Sequence, residues 1–283
     1  MSREKEREHM EHGQTNQTET KEMPVHARSA GILQSDNPRA PLGQTEAETT
    51  GEEEEMIKVT PVRHTIATRT LQSVREIPHA LTTIETDVTD LVKLRTKLKD
   101  DFKRREGVQL TYLAFFIQAV VSAIKDYPLM NSVWAADKMI RKRNVHISLL
   151  IGTEDSVLAP VIKYADQKSI SGIAQEIAAL AQKARTGRLT LDDMQDGTFT
   201  INNTGAFGSI LSSPTILYPQ AAILTIESIV KRPRVVGDMI AVRSMANLCL
   251  SSDNRILEGR VTGQFLHRVK QNLEAFHPDT RIY

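Results

Sequence analysis

The sequence predicts an α/β fold in which a large mixed sheet is covered by helices, and three observations carry that expectation. From residue 56 onward, short runs rich in β-branched residues alternate with segments whose apolar residues recur every three or four positions. One of those segments, Leu110 to Lys125, is apolar on nearly all sides and reads as a central buried helix. The chain has 283 residues and is 40% hydrophobic, enough to bury a sizeable core.

The elements follow in order. Thr89 is placed to cap a helix whose Leu91, Leu94, Leu98 and Phe102 form one stripe facing a sheet, ending before Gly107. Asp126-Tyr127-Pro128 closes the central helix, because proline cannot continue one. A third helix starts near Ser169, puts Ile170, Ile173, Ile177 and Leu180 on one face and ends before Gly187. A last amphipathic helix carries Val261, Phe265, Leu266, Val269 and Leu273. Strands are expected over 80–88, 145–151, 157–162, 198–202, 221–229 and 245–251.

Composition changes sharply near residue 56. Residues 1–55 contain no Phe, Trp or Tyr, and end in the run Glu52-Glu53-Glu54-Glu55. Six Lys and Arg against thirteen Asp and Glu give this part a net charge of −7, which leaves +8 of the total +1 to residues 56–283. The first part reads as a disordered acidic tail, 1–55, before one folded domain, 56–283. A basic folded part attracts polyanions such as coenzyme A. Nucleic acid is a poor fit, since the basic residues are scattered and aromatics make up only 5% of the chain. No leader opens the sequence, and the longest apolar run, interrupted by Gln118 and Ser122, is too short to cross a bilayer. The expected location is the cytoplasm, without membrane contact. Cys249 stands alone between Leu248 and Leu250, which excludes a disulfide framework or a Cys-based metal site; it reads as a small buried hydrophobe.

Near the C-terminus the chain reads Asp253-Asn254-Arg255-Ile256-Leu257-Glu258-Gly259, which resembles the Asp-His-Arg-x-x-Asp-Gly signature of dihydrolipoyl acyltransferases with asparagine in place of histidine. Further landmarks follow in that family's order: Pro61-Val62-Arg63-His64-Thr65-Ile66-Ala67, Pro78-His79, Asp87-Val88-Thr89-Asp90-Leu91, Gly152-Thr153-Glu154-Asp155, Phe199-Thr200-Ile201-Asn202-Asn203-Thr204-Gly205 and Pro219-Gln220-Ala221-Ala222-Ile223-Leu224. The wording is similar to branched-chain 2-oxoacid dehydrogenase members. The resemblance implies the catalytic core of such an enzyme, with the fold of chloramphenicol acetyltransferase: a two-layer α/β sandwich that forms homotrimers, each active site lying in a channel between subunits. It also implies a route to a 24-subunit or larger cage, alone or mixed with an active paralogue. No lipoyl domain, and so no lipoyl attachment site, is legible in this sequence. Coenzyme A or an acyl-CoA is the substrate that the resemblance implies.

The resemblance also assigns slots. In the family the histidine at the position of Asn254 is the general base toward a thiol, a role an amide cannot fill because it does not titrate near pH 7. Four residues on, the usual aspartate is Glu258, and the arginine thought to hold that acid matches Arg95; the two are expected to form a structural ion pair. The hydrogen-bond donor to the tetrahedral oxyanion, commonly Ser or Thr, is Asn202, whose NH2 is a competent donor. A strand-end or turn role is the plainer reading of Asn202 and Asn203. His79 and His146 are the histidines that stand as substitute bases, each with a plainer reading as a packed residue. Two function classes follow: an acyltransferase that passes an acyl group from a thioester to an acceptor needing no histidine base, such as an amine, or a catalytically inactive oligomeric scaffold.

Overall fold

The computed structural model describes residues 56–153 and 156–282. The acidic tail expected over residues 1–55 lies outside the described residues. Eleven strands and five α-helices make up the described chain, joined by short 3-10 turns.

Helix α1, Pro61–Glu76, starts where the Thr60 side chain accepts from the Arg63 amide, with proline in its first turn. Strand β1, His79–Asp87, leads to α2, Thr89–Glu106. The sequence places Thr89 as the cap of α2, and the structure corrects this by one step. Asp87 is the acceptor: its carboxylate takes both the amide and the hydroxyl of Thr89, so Thr89 is the first helical residue. At the other end Gly107 adopts φ 74°, a left-handed turn that favours glycine.

Helix α3, Tyr112–Asp126, is the central buried helix expected from its apolar surface. A hairpin follows, β2 Ser132–Ala135 with β3 Lys138–Arg141. Next come β4 Ile147–Leu149, the small pair β5 Ile151–Gly152 and β6 Val157–Leu158, and β7 Val161–Ile162. Helix α4, Ile170–Arg185, is capped by Ser169, whose side chain accepts from the Gly172 amide. Strands β8 Phe199–Asn203, β9 Ala222–Ile226, β10 Val230–Val236 and β11 Met239–Asp253 precede α5, Gly259–Glu274. The run expected as one strand over 221–229 therefore ends at Ile226, and the one expected over 157–162 is two short strands.

The main sheet has the order β1-β11-β9-β8-β4-β7, with β10 paired to the far half of β11. The β9-β8-β4 trio is parallel and the remaining pairs are antiparallel, so the sheet is mixed as expected. Strand side chains alternate between faces. Phe199, Ile201, Ala222, Leu224, Leu248 and Leu250 point to one face and pack with α2, α3, α4 and α5 into the main core. Thr200, Asn202, Ile223, Thr225, Cys249 and Ser251 point to the other. There Ile223 joins Ile77 and Ile216 in a small second cluster. No described helix is long and apolar enough to cross a membrane.

Helices α3 and α5 run antiparallel. The Phe115 ring meets Phe276 edge-on at 5.2 Å near one end, and Tyr127 meets Phe265 at 6.4 Å near the other. Phe265 is fully buried and also touches the Phe199 ring, so it ties α5 to both α3 and the sheet. Phe265→Ala should cost about 3–5 kcal/mol of unfolding free energy, measured by urea denaturation, with little change in the far-ultraviolet spectrum of the folded protein.

Candidate functional site

The sequence-predicted residues fall at two opposite ends of the sheet. At one end β11 finishes in the turn that carries Asn254. Asp253 is buried, and Arg255 grips its carboxylate through Nε and Nη2 at 2.7–3.2 Å. The Arg255 guanidinium also lies over the Trp134 ring at 5.2 Å. The Asn254 amide donates to Pro78 O at 3.0 Å, which pins the turn to the start of β1. The Asn254 side chain is exposed, and so is Glu258, the residue that precedes α5.

His79 sits beside this turn, paired across strands with Asp253. Both of its ring nitrogens are engaged: Nδ1 lies 2.8 Å from Ile77 O, and Nε2 lies 3.1 Å from the Ile216 amide. A backbone N–H can only donate, so Nε2 is the acceptor and Nδ1 carries the proton. This neutral tautomer staples loop 216 to the segment before β1 and leaves no lone pair for a substrate proton. His146 is farther away, on the entry to β4, three strands across the sheet and so roughly 14 Å from β11.

Asn202 lies at the other end. It pairs with Thr225, which in turn pairs with Cys249, five residues before Asn254 on β11. At the usual strand rise Asn202 and Asn254 are therefore about 16 Å apart along the strands, besides being two strands apart. One subunit cannot bring both to a single reacting atom. Asn202 is half-buried, and its side chain has no hydrogen-bond partner among the described residues. Asn203 is the last residue of β8, as the strand-end reading has it.

Arg95 is also at this end, and within the protomer it does not make the ion pair expected of it. Its Nε donates to Leu110 O at 2.9 Å and its guanidinium stacks over the Tyr112 ring at 5.2 Å. Tyr112 opens α3, which is where the far end of α5 packs, whereas Glu258 stands before the first turn of α5. The 16 residues of α5 set about 24 Å between the two ends. Among the described residues of one protomer, Arg95 and Glu258 form no ion pair.

A buried carboxylate that the sequence reading missed lies next to Asn202. Glu227 is 1% exposed, one residue past β9. Thr204 donates to Oε2 at 2.8 Å, while Ser212 and Thr225 both donate to Oε1. Burial pushes the Glu227 carboxyl up, but hydrogen bonds from Ser209, Ser212, Thr204 and Thr225 prevail and hold it below the usual glutamate range. The loop between β8 and β9 is thus folded around one charge. Gly205 completes the arrangement, since a Cβ there would sit 2.5 Å from the Glu227 carbonyl carbon. The available signal was a lone acid closing the mostly apolar stretch Ala221-Ala222-Ile223-Leu224-Thr225-Ile226, with Ser and Thr crowding the preceding loop.

A model of the 2-oxoacid dehydrogenases acyltransferase catalytic domain matches residues 51–280. The chain belongs to this family. Over 228 residues it is 57% identical to the lipoamide acyltransferase component of the branched-chain alpha-keto acid dehydrogenase complex of Bacillus subtilis, a match covering 80% of this chain and 54% of that protein. The chain spans about half the length of the curated relatives it matches. Its fold matches a probable dihydrolipoamide acetyltransferase from Listeria monocytogenes with TM-score 0.81 and 51% identity, covering 82% of this chain and all of that one. It also matches Azotobacter vinelandii dihydrolipoamide acetyltransferase with TM-score 0.77 and 33% identity, covering 79% and 92% respectively. That second structure comes from a study of a serine, a histidine and an asparagine in the catalytic mechanism; the histidine follows the serine by 52 positions and the asparagine follows the histidine by 4.

The lowered Glu227 carboxyl gives a stability prediction for this family member. A folded-state value below the unfolded one stabilises the protein above the ordinary glutamate range, and that contribution disappears as pH falls through the folded value. Glu227→Gln should therefore flatten the loss of stability as pH falls through and below the ordinary glutamate range, as read by urea denaturation. Glu227→Leu should cost about 1–3 kcal/mol or more at pH 7, because it strands buried hydroxyls.

Proposed function

We propose that this protein handles acyl thioesters, from acyl-CoA or a lipoyl or carrier thiol, and passes the acyl group to an acceptor that needs no histidine base, such as an amine. The observation that carries the proposal is the placement of Asn202 and Asn254 at opposite ends of the same sheet, two strands apart. It suits a channel built between subunits of a homotrimer, with Asn254 from one subunit facing Asn202 of the next. The 52- and 4-residue separations in the Azotobacter enzyme equal those from Asn202 to Asn254 and from Asn254 to Glu258, which supports the slot assignment.

In the proposed reaction a neutral amine nitrogen attacks the thioester carbon. The carbon–nitrogen bond forms as the carbonyl electrons move to oxygen, and the Asn202 NH2 donates to that oxyanion. Collapse expels the thiolate, and the proton lost by nitrogen ends on the released sulfur or in solvent. A thiol acceptor differs, because it must lose its proton before it attacks well. Asn254 cannot take that proton, and His79 is committed to Ile77 and Ile216.

One observation favours the second reading, an inactive trimeric core that acts as a scaffold: the imidazole adjoining Asn254 has both nitrogens occupied. The readings separate on an amine assay. The acyltransferase reading expects transfer from acyl-CoA to an amine, rising with pH as the amine deprotonates, and reduced by Asn202→Ala by about 10²–10³-fold. Absence of transfer to any amine or thiol selects the scaffold. For either reading, Asn254→His with Glu258→Asp should raise transfer to dihydrolipoamide by about 10²–10⁴-fold. Equal thiol activity of the wild type and the double variant would refute the slot assignment.

The assembly belongs to the same proposal: a protein of the cytoplasm whose core, residues 56–283, forms trimers when the acidic residues 1–55 are removed, with a cage of 24 or more subunits as the higher state. Light scattering of the truncated chain should give three times the protomer mass or a multiple of it, and a monomer would exclude the shared channel.

A further inference from the structure

A cavity of about 440 Å³ opens beside β4 and β8, away from Asn202, lined by Val133, Lys142, Arg143, Asn144, His146, Asp196, Gly197, Thr198 and Pro219. We infer that it is a binding site for a phosphoryl group, with the His146 ring N–H and the Lys142 and Arg143 cations as its donors.

The imidazole is built in rather than draped on the surface. His146 is only 9% exposed. Its backbone amide donates to Thr198 Oγ1 at 3.0 Å, and its carbonyl accepts from the Thr198 hydroxyl and amide. Its Nδ1 accepts from the Tyr164 amide at 3.1 Å, and the ring packs edge-on against Tyr164 at 4.8 Å. With Nδ1 committed as an acceptor, the proton of the neutral ring must sit on Nε2, which has no partner among the described residues. Burial pushes His146 below the usual imidazole range, Asp196 and Asp166 oppose that, and Lys163 reinforces it. At neutral pH the ring thus presents one N–H to the cavity and cannot act there as a base.

The cations are positioned too. Buried Asn131 donates from Nδ2 to both Lys142 O and Asn144 O, and its carbonyl accepts from the Lys142 amide. Three hydrogen bonds from one core residue therefore fix the stretch that carries Lys142 and Arg143. Neither side chain is in an ion pair among the described residues, whereas Lys163 nearby is held by Asp192 at 2.6 Å. Asp196 is the acid facing the cavity, so an anion meets two cations and an N–H against one carboxylate. Two non-glycine residues beside His146, Tyr164 at φ 51° and Asp196 at φ 67°, hold left-handed backbone, a cost that gathers where side chains are aimed for function. A guanidinium fork with a neighbouring ammonium suits phosphate oxygens, which accept several hydrogen bonds at once.

The inference stands without the acyl-transfer reading, because it concerns binding alone. Calorimetric titration of inorganic pyrophosphate into the full chain should give saturable binding that weakens at least tenfold in Lys142→Gln/Arg143→Gln, two exposed positions whose loss leaves the core intact. NMR titration should show the His146 midpoint rising when pyrophosphate is present. Absence of saturable binding, unchanged affinity in the double variant, or an unmoved His146 midpoint would each overturn the site. Competition then identifies the source: displacement by coenzyme A but not by pantetheine assigns the site to the phosphates of an acyl donor, and displacement by neither assigns it to a separate phosphorylated ligand.

Discussion

Everything in this protomer depends on the two-residue alternation of β8, β9 and β11. One set of side chains, Phe199, Ile201, Leu224, Leu248 and Leu250, is withdrawn from water against four helices. The other set is forced onto the opposite face, and there the buried hydroxyls of Thr200 and Thr225 must find partners. Thr200 donates to Gln220, Gln220 donates to Ser148, and Thr225 donates to Glu227. A slip of one residue would exchange the faces, placing Asn202 and Thr225 in the apolar layer and stranding Ile201 and Leu224 among hydroxyls. The register is thereby fixed by cost on both faces at once.

That register sets the division of labour between the ends of the sheet. Along any one strand the chemistry is concentrated at a terminus: Asn203 closes β8, Glu227 follows β9 and Asn254 follows β11. Parallel β8 and β9 deliver their C-terminal ends to the same edge, while antiparallel β11 delivers its own to the other. The mixture of strand directions, not the identity of any one residue, is what separates Asn202 from Asn254.

Much of this was legible beforehand because hydrophobic period carried it. Helices α3 and α4 and strand β8 come out close to their expected bounds, and α5 carries the apolar residues expected of it, since each shows a clear apolar face or a continuous buried run. Helix α1 did not: its Val62, Ile66, Leu71 and Val74 are exposed in the protomer, so no buried face marked it in the sequence. Strand β10 was hidden by Pro233, which reads as a strand breaker yet is tolerated where β10 borders only β11. That Asn202 ends up on a strand and Asn254 and Glu258 flank the turn before α5 could be expected from their order in the chain. What Arg95 touches could not, because the distance between two ends of a helix pair is decided by packing. Glu227 escaped for a related reason: an acid looks solvated in sequence until its hydroxyl donors, drawn from a loop and a strand, are seen to converge.

The turn after β11 holds its shape through Asp253 with Arg255, through Arg255 on Trp134 and through the Asn254 amide on Pro78, and none of these contacts uses the side chain at position 254. That position is a socket whose occupant bears no structural weight. The turn keeps its shape whatever side chain stands there, so resemblance of fold is silent about the chemistry that position performs.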